Sequence, residues 1–146
     1  MAKMKALLIF IASSIMYVSF AAEAAGIFKS VSGDVKIIKN SKNSSTPKVG
    51  EKFFESDTIK TGQGGSAGLI FSDDTLVSVG QNAEFTVKEY MFKPGDKKGS
   101  FVGKIGKGTI ACMTGLIAKM NPESMKVESK TATIGIRGTY FVVEAE

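Results

Sequence analysis

Beyond residue 32 the chain is a succession of apolar, β-branched segments, mostly about four to seven residues long, each closed by glycine, Asp-Asp or Pro-Gly. GDVKII, DTIKTG, SAGLIF, TLVSVG, AEFTVKEYMF, FVGKI, GTIACM and MKVES follow one another, and no stretch keeps the period of a long helix. That pattern predicts an all-β fold. In SAGLIF, Ala67, Leu69 and Phe71 share one face, and in TLVSVG Leu76 lies opposite Val77 and Val79. KNSKNSSTPK and PGDKKGS read as loops, and LIAKMNPES holds one helical turn at most. Sixteen glycines suit frequent turns. No repeat of fixed length chooses between a sandwich, a barrel and a β-solenoid.

The N-terminus follows a different logic. MAKMK is basic, ALLIFIASSIMYVSF is mostly apolar, and AAEAAG supplies small residues at Ala22 and Ala24. This is the three-part layout of a secretory signal peptide, with cleavage expected after Ala24. The apolar run is shorter than the roughly 20 residues that span a bilayer. Residues 1–24 are therefore read as a signal peptide and 25–146 as a single exported domain, periplasmic or secreted, with no stable membrane span after cleavage.

Histidine is absent, which removes the commonest general base and the commonest transition-metal ligand. Cys112 is the only cysteine, so no internal disulfide staples the domain; between the apolar neighbours of GTIACMTG it reads as a buried, inert thiol. Asp73 and Asp74 are adjacent, so their side chains diverge and do not make a glycosidase pair. Neither they nor Asp57 show the spaced oxygen ligands of a calcium loop. Met113, Met120 and Met125 do not share a face and read as core filling rather than as a copper site. GQGG at 62–65 and GKIGKG at 103–108 read as turns, because no helix follows the first and the second lacks the phosphate-loop spacing. The expectation is a protein that is not an enzyme, with no catalytic residue, metal or cofactor. Its net charge of +5 is spread evenly along the sequence, which gives little support for a polyanion partner and none for nucleic acid.

The closing segment TATIGIRGTYF holds Arg137, the only arginine; every other cation is a lysine. Ala132, Ile134 and Ile136 alternate with Thr133, Gly135 and Arg137, and beyond Gly138 both parities turn apolar, Tyr140 and Val142 against Phe141 and Val143. Gly138 is expected to bend the strand, which is then covered on both faces. A guanidinium presents five donors in a fixed fork. Arg137 is expected to tie the last strand to a carboxylate such as Asp57 or Asp73, or to turn carbonyls; an anion site is the alternative.

These residues resemble the FecR domain family of bacterial envelope proteins, from Gly33 to about Val143. The likeness runs through Gly33 and Val35, Gly50, then Asp57, Ile59, Thr61 and Gly62 of DTIKTG, then Ser66, Ala67, Leu69, Phe71, Asp73 and Thr75, then Val79, Gly80, Asn82 and Phe85. It closes on Gly108 and Thr109 and on ATIGIRGT, with Gly135, Arg137, Gly138 and Thr139, followed by an aromatic and valines. The family commonly has Asp-Gly where this chain has Asp73-Asp74, and Thr-Pro where it has Ser129-Lys130. The resemblance implies a single FecR-type domain of short strands, β-solenoid-like or sandwich-like, in which Asp57, Thr61, Gly62, Asp73, Gly135, Arg137, Gly138 and Thr139 serve structure. It implies an envelope interaction, scaffolding or signalling-related module whose partner is another envelope protein. Binding of a cell-wall glycan through a strand face and aromatics such as Tyr90 or Phe92 is the alternative, those rings being read equally as core.

Overall fold

The computed structural model describes residues 22–146; the expected signal peptide lies almost wholly outside the described residues. Twelve strands and one short helix follow in order: β1 (Gly26–Ser32), β2 (Val35–Lys39), β3 (Asn43–Ser45), β4 (Lys52–Phe53), β5 (Thr58–Thr61), β6 (Ser66–Phe71), β7 (Leu76–Val79), β8 (Glu84–Lys93), β9 (Lys98–Met113), α1 (Leu116–Met120), β10 (Met125–Glu128), β11 (Thr133–Gly135) and β12 (Tyr140–Ala145). The fold is all-β. Its strands join into one curled sheet in the order β3-β2-β5-β8-β9-β7-β6-β1-β4, with β12 and β10 added along β9 and β11 beyond β10.

β9 makes this one sheet rather than two. Its first half pairs with β8, from Lys98 opposite Lys93 to Lys107 opposite Glu84, and runs parallel to β10 over Phe101–Lys104. Its second half lies between β7 and β12, with Ile110 opposite both Val79 and Val143. All other ladders are antiparallel. Pairing between antiparallel neighbours is not the parallel stacking of solenoid coils; the sheet instead folds over on itself, sandwich-like, with its two halves facing across a common core.

The alternation expected from the sequence decides what enters that core. Ala67, Leu69 and Phe71 point inward from β6, and Val77 and Val79 from β7, while Leu76 faces out. Phe28, Phe53, Phe71 and Phe101 form a chain of edge-to-face rings at centroid spacings of 5.7, 4.9 and 4.8 Å, and Tyr90 packs on Phe71 at 5.1 Å. Each such pair adds about 0.5–1.5 kcal/mol to the burial itself. The chain of rings links β1 and β4 through β6 to β8 and β9, so it clamps the two halves together. Cys112 is buried among them, and burial, seconded by the charge of Asp73, pushes its thiol up to about 12. Of the three methionines read as core, only Met125 is; Met113 is half exposed, and Met120 lies along a surface groove.

The outer surfaces of the two halves differ in chemistry. Across the half holding β1, β6, β7 and β12, one row runs Ile27, Ile70, Leu76, Met113 and Tyr140. Tyr140 is 61% exposed and Val142 55% exposed. The expectation that β12 is covered on both faces is therefore corrected: Val143 and Phe141 pack on the core, while Tyr140 and Val142 face out. β12 pairs only with β9 and is an edge strand, with Glu144 exposed along it.

Candidate functional site

The residues singled out from the sequence fall into two groups. Asp57, Thr61, Gly62 and Asp73 form the first, inside the turns. Asp73 is fully buried, and its carboxylate is saturated. Oδ2 accepts from Thr75 Oγ1 at 2.7 Å and from the Ile117 backbone N–H at 3.1 Å; Oδ1 accepts from Tyr90 Oη at 3.0 Å and from the Thr75 N–H at 3.3 Å. The Asp73 carbonyl also receives the Leu116 N–H at 2.8 Å. One side chain thus holds the β6–β7 turn, β8 and the start of α1 together. Burial, with the adjacent Asp73 charge, pushes the Tyr90 phenol well above its ordinary range. Tyr90 is therefore a core ring whose hydroxyl serves Asp73, and not an exposed platform.

Asp74 follows with φ of +68°, and its N–H closes the turn onto the Phe71 carbonyl at 3.0 Å. The left-handed backbone of an Asp-Gly turn is kept, with an aspartate in the glycine's place. Asp57 is also buried; one oxygen accepts the Phe54 N–H at 2.9 Å, and desolvation raises its carboxyl above the usual range. Thr61 donates its hydroxyl to the Gly80 carbonyl and accepts the Ala83 N–H at 3.0 Å. A Cβ on Gly62 would run into the Asp34 carboxylate, so a larger residue there requires the exposed Asp34 side chain to turn away.

The second group, Gly135, Arg137, Gly138 and Thr139, is exposed. Between β11 and β12 the chain is anchored on both sides of Arg137. Ile136 is buried and its N–H reaches the Met125 carbonyl at 3.2 Å. Thr114 donates its hydroxyl to the Gly138 carbonyl at 2.9 Å and its N–H to the Thr139 carbonyl at 2.8 Å. Gly138 turns with φ of +110°. The expected tie of Arg137 to Asp57 or Asp73 does not form: both carboxylates are satisfied inside, and Arg137 makes no hydrogen bond or ion pair among the described residues. Arg137 instead borders a groove of about 760 Å³ between α1, the Pro122–Ser124 turn and the Gly135–Gly138 bend, with Ala118, Met120, Asn121 and Glu123 along the other wall. This groove is not legible in the sequence, because its walls come from a helical turn and from a bend that β10 separates along the chain.

A family model described as FecR protein matches residues 57–146, from Asp57 through the Arg137 bend to the last residue of the chain. The chain belongs to the FecR family. Neither comparison with curated proteins nor comparison with solved structures gives a match. The FecR match begins at Asp57, so Gly33, Val35 and Gly50 lie outside it. β1 and β2 nonetheless pair with β6 and β5 of the matched region. FecR domains are associated with envelope signalling and regulation. No helix among the described residues is long and apolar enough to cross a membrane. Nor does any group of three or more acidic or thiol side chains gather among them as a metal site would require.

Proposed function

We propose that this FecR-type domain is a non-enzymatic interaction module, exported by residues 1–24 to the periplasm or beyond, and that the groove beside Arg137 receives a carboxylate of another envelope protein. The observation that carries this reading is the setting of Arg137. Its backbone is fixed on either side by Ile136 and Thr139, yet its side chain is exposed and unpaired among the described residues, at the wall of a groove. A fixed backbone lowers the ordering cost of binding, and the guanidinium fork matches a carboxylate with two parallel hydrogen bonds. Glu123 across the groove repels a second acidic group, which favours a single carboxylate flanked by apolar or basic neighbours.

The test is crosslinking capture from intact envelopes with the tagged protein, followed by mass identification. Wild type is expected to capture one envelope protein, and Arg137→Glu to lose it while melting at the same temperature. Capture that survives Arg137→Glu, or a variant that melts far lower, removes the groove from the function.

A further inference from the structure

The lysines that look evenly scattered along the sequence are gathered by the fold. On the outward face of the half that holds β2, β5, β8, β9 and β10, strand registry places Lys36 opposite Lys60, Lys60 opposite Glu84, and Glu84 opposite Lys107. The next row sets Lys104 opposite Thr86 on one side and Glu128 on the other, and the row after it sets Lys126 opposite Val102. Lys88 reaches across from β8 to Glu128 at 2.6 Å. Six exposed lysines, Lys36, Lys60, Lys88, Lys104, Lys107 and Lys126, thus share one face with three glutamates, Glu84, Glu128 and Glu89, the last opposite Val102 in the row of Lys126. Those glutamates engage only Lys60 and Lys88, which leaves four cations without an ion pair among the described residues.

We infer that this face binds an acidic polysaccharide, a linear polymer carrying repeated carboxylate or phosphate groups. Three observations favour that occupant. Like charges directly opposite one another in an antiparallel pair are destabilising, and Lys36–Lys60 is such a pair, which an extended polyanion lying across both strands relieves. The lysines cover five strands, about 19 Å at the usual strand spacing, which suits a polymer touching many cations at once better than a single small anion. The face contains no arginine and no exposed aromatic, so neither bidentate recognition nor base stacking is on offer. Most of the large exposed apolar side chains lie elsewhere: Ile27, Met113, Tyr140 and Val142 belong to the opposite half, and β8 adds only Met91, opposite Ser100, a single side chain that offers little to insert into a lipid surface. The inference does not rest on the Arg137 groove, which borders this face beyond β10, where Lys126 stands opposite Gly135 of the groove wall.

The experiment uses the protein as purified from the expressing cell, with polygalacturonate as the probe, neutral dextran as the uncharged control, and vesicles of phosphatidylglycerol and phosphatidylcholine as the membrane control. Calorimetric titration is expected to show saturable binding to polygalacturonate alone, weakening by about tenfold or more as salt rises from about 0.05 to about 0.2 M. The triple variant Lys36→Glu, Lys104→Glu, Lys126→Glu should bind at least about tenfold more weakly, and Lys29→Glu with Lys52→Glu, outside this face, should bind as wild type. The single variant Lys36→Glu places opposite charges across β2 and β5, so it should weaken binding with no fall in melting temperature, an outcome that a merely structural role would not produce. Absence of saturable binding, equal binding by the triple variant, or binding to the vesicles with none to polygalacturonate would each overturn the inference. Loss of partner capture through Arg137 leaves this result untouched, so the two fail separately.

Discussion

The residues singled out from the sequence split into a buried set and an exposed set, and the two do opposite things with the same kinds of chemistry. Asp57, Thr61, Gly62 and Asp73 turn their polar groups inward and spend them on backbone N–H and carbonyl groups of neighbouring turns. Gly135, Arg137, Gly138 and Thr139 use their backbone for anchorage and leave a charged side chain outside. A motif residue can therefore be indispensable in either of two senses, and a melting curve distinguishes them.

The sharpest break in that comparison is Asp73→Ala. It strands the Thr75 hydroxyl and the Ile117 N–H in a buried site, while the Tyr90 hydroxyl keeps Ser72 and the backbone N–H of residue 73, and at about 1–3 kcal/mol for each unsatisfied group the loss should be about 2 kcal/mol or more. Urea unfolding should show it as a large drop in midpoint, and hydrogen exchange should show α1 opening first. A second test uses pH. Tyr90 and Cys112 are both held neutral by burial, so their folded pKa values lie above the unfolded ones; the stability they contribute is complete below about pH 9 and is lost as pH rises from there to about 12. The melting temperature should fall across that range, and Cys112→Ala should flatten the decline without abolishing it, because Tyr90 still titrates. Thr61→Val keeps the shape but removes both the donor to Gly80 and the acceptor for Ala83, and should cost about 1–3 kcal/mol in the same urea assay. At the other extreme, Arg137→Lys should leave stability within about 0.5 kcal/mol of wild type while weakening capture of the partner, since lysine keeps the charge but not the fork. A large loss of stability on Arg137→Lys would merge the two sets into one.

Much of the buried set could be anticipated from sequence, and most of the exposed set could not. Alternation in SAGLIF and TLVSVG names the inward residues of β6 and β7 correctly, because a half-buried strand leaves a period of two. The segment GIFKSVS lacks the alternation of a strand, although it forms β1; its register shifts between Phe28 and Ser30, and the bulge breaks the period of two. FVGKI and GTIACM look like two strands because glycines separate them, but they are one, β9, in which Gly108 with φ of +87° lies just where the strand passes from β8 to β7 and β12. Asp73 reads as an ordinary turn residue because its partners lie 17 and 44 positions away, at Tyr90 and Ile117. Arg137 misleads for a related reason. Its apolar neighbours suggest a buried tie, whereas Ile136 is buried in order to hold the backbone while the next side chain points away. Charge is the clearest case: even spacing along a sequence is compatible with strong segregation in space, since strands alternate and registry decides which lysines become neighbours.

The shared strand β9 has a consequence for how the protein comes into being. The strands before it pair among themselves in two groups, β4-β1-β6-β7 and β3-β2-β5-β8, which only residues 98–113 join through ladders to β7 and β8, and β10 and β12 then close on the same strand. A chain emerging from its N-terminus has no finished module until that spine has been threaded in. Truncation before residue 98 should therefore leave the two groups of strands unjoined, with the β9-facing edges of β7 and β8 exposed.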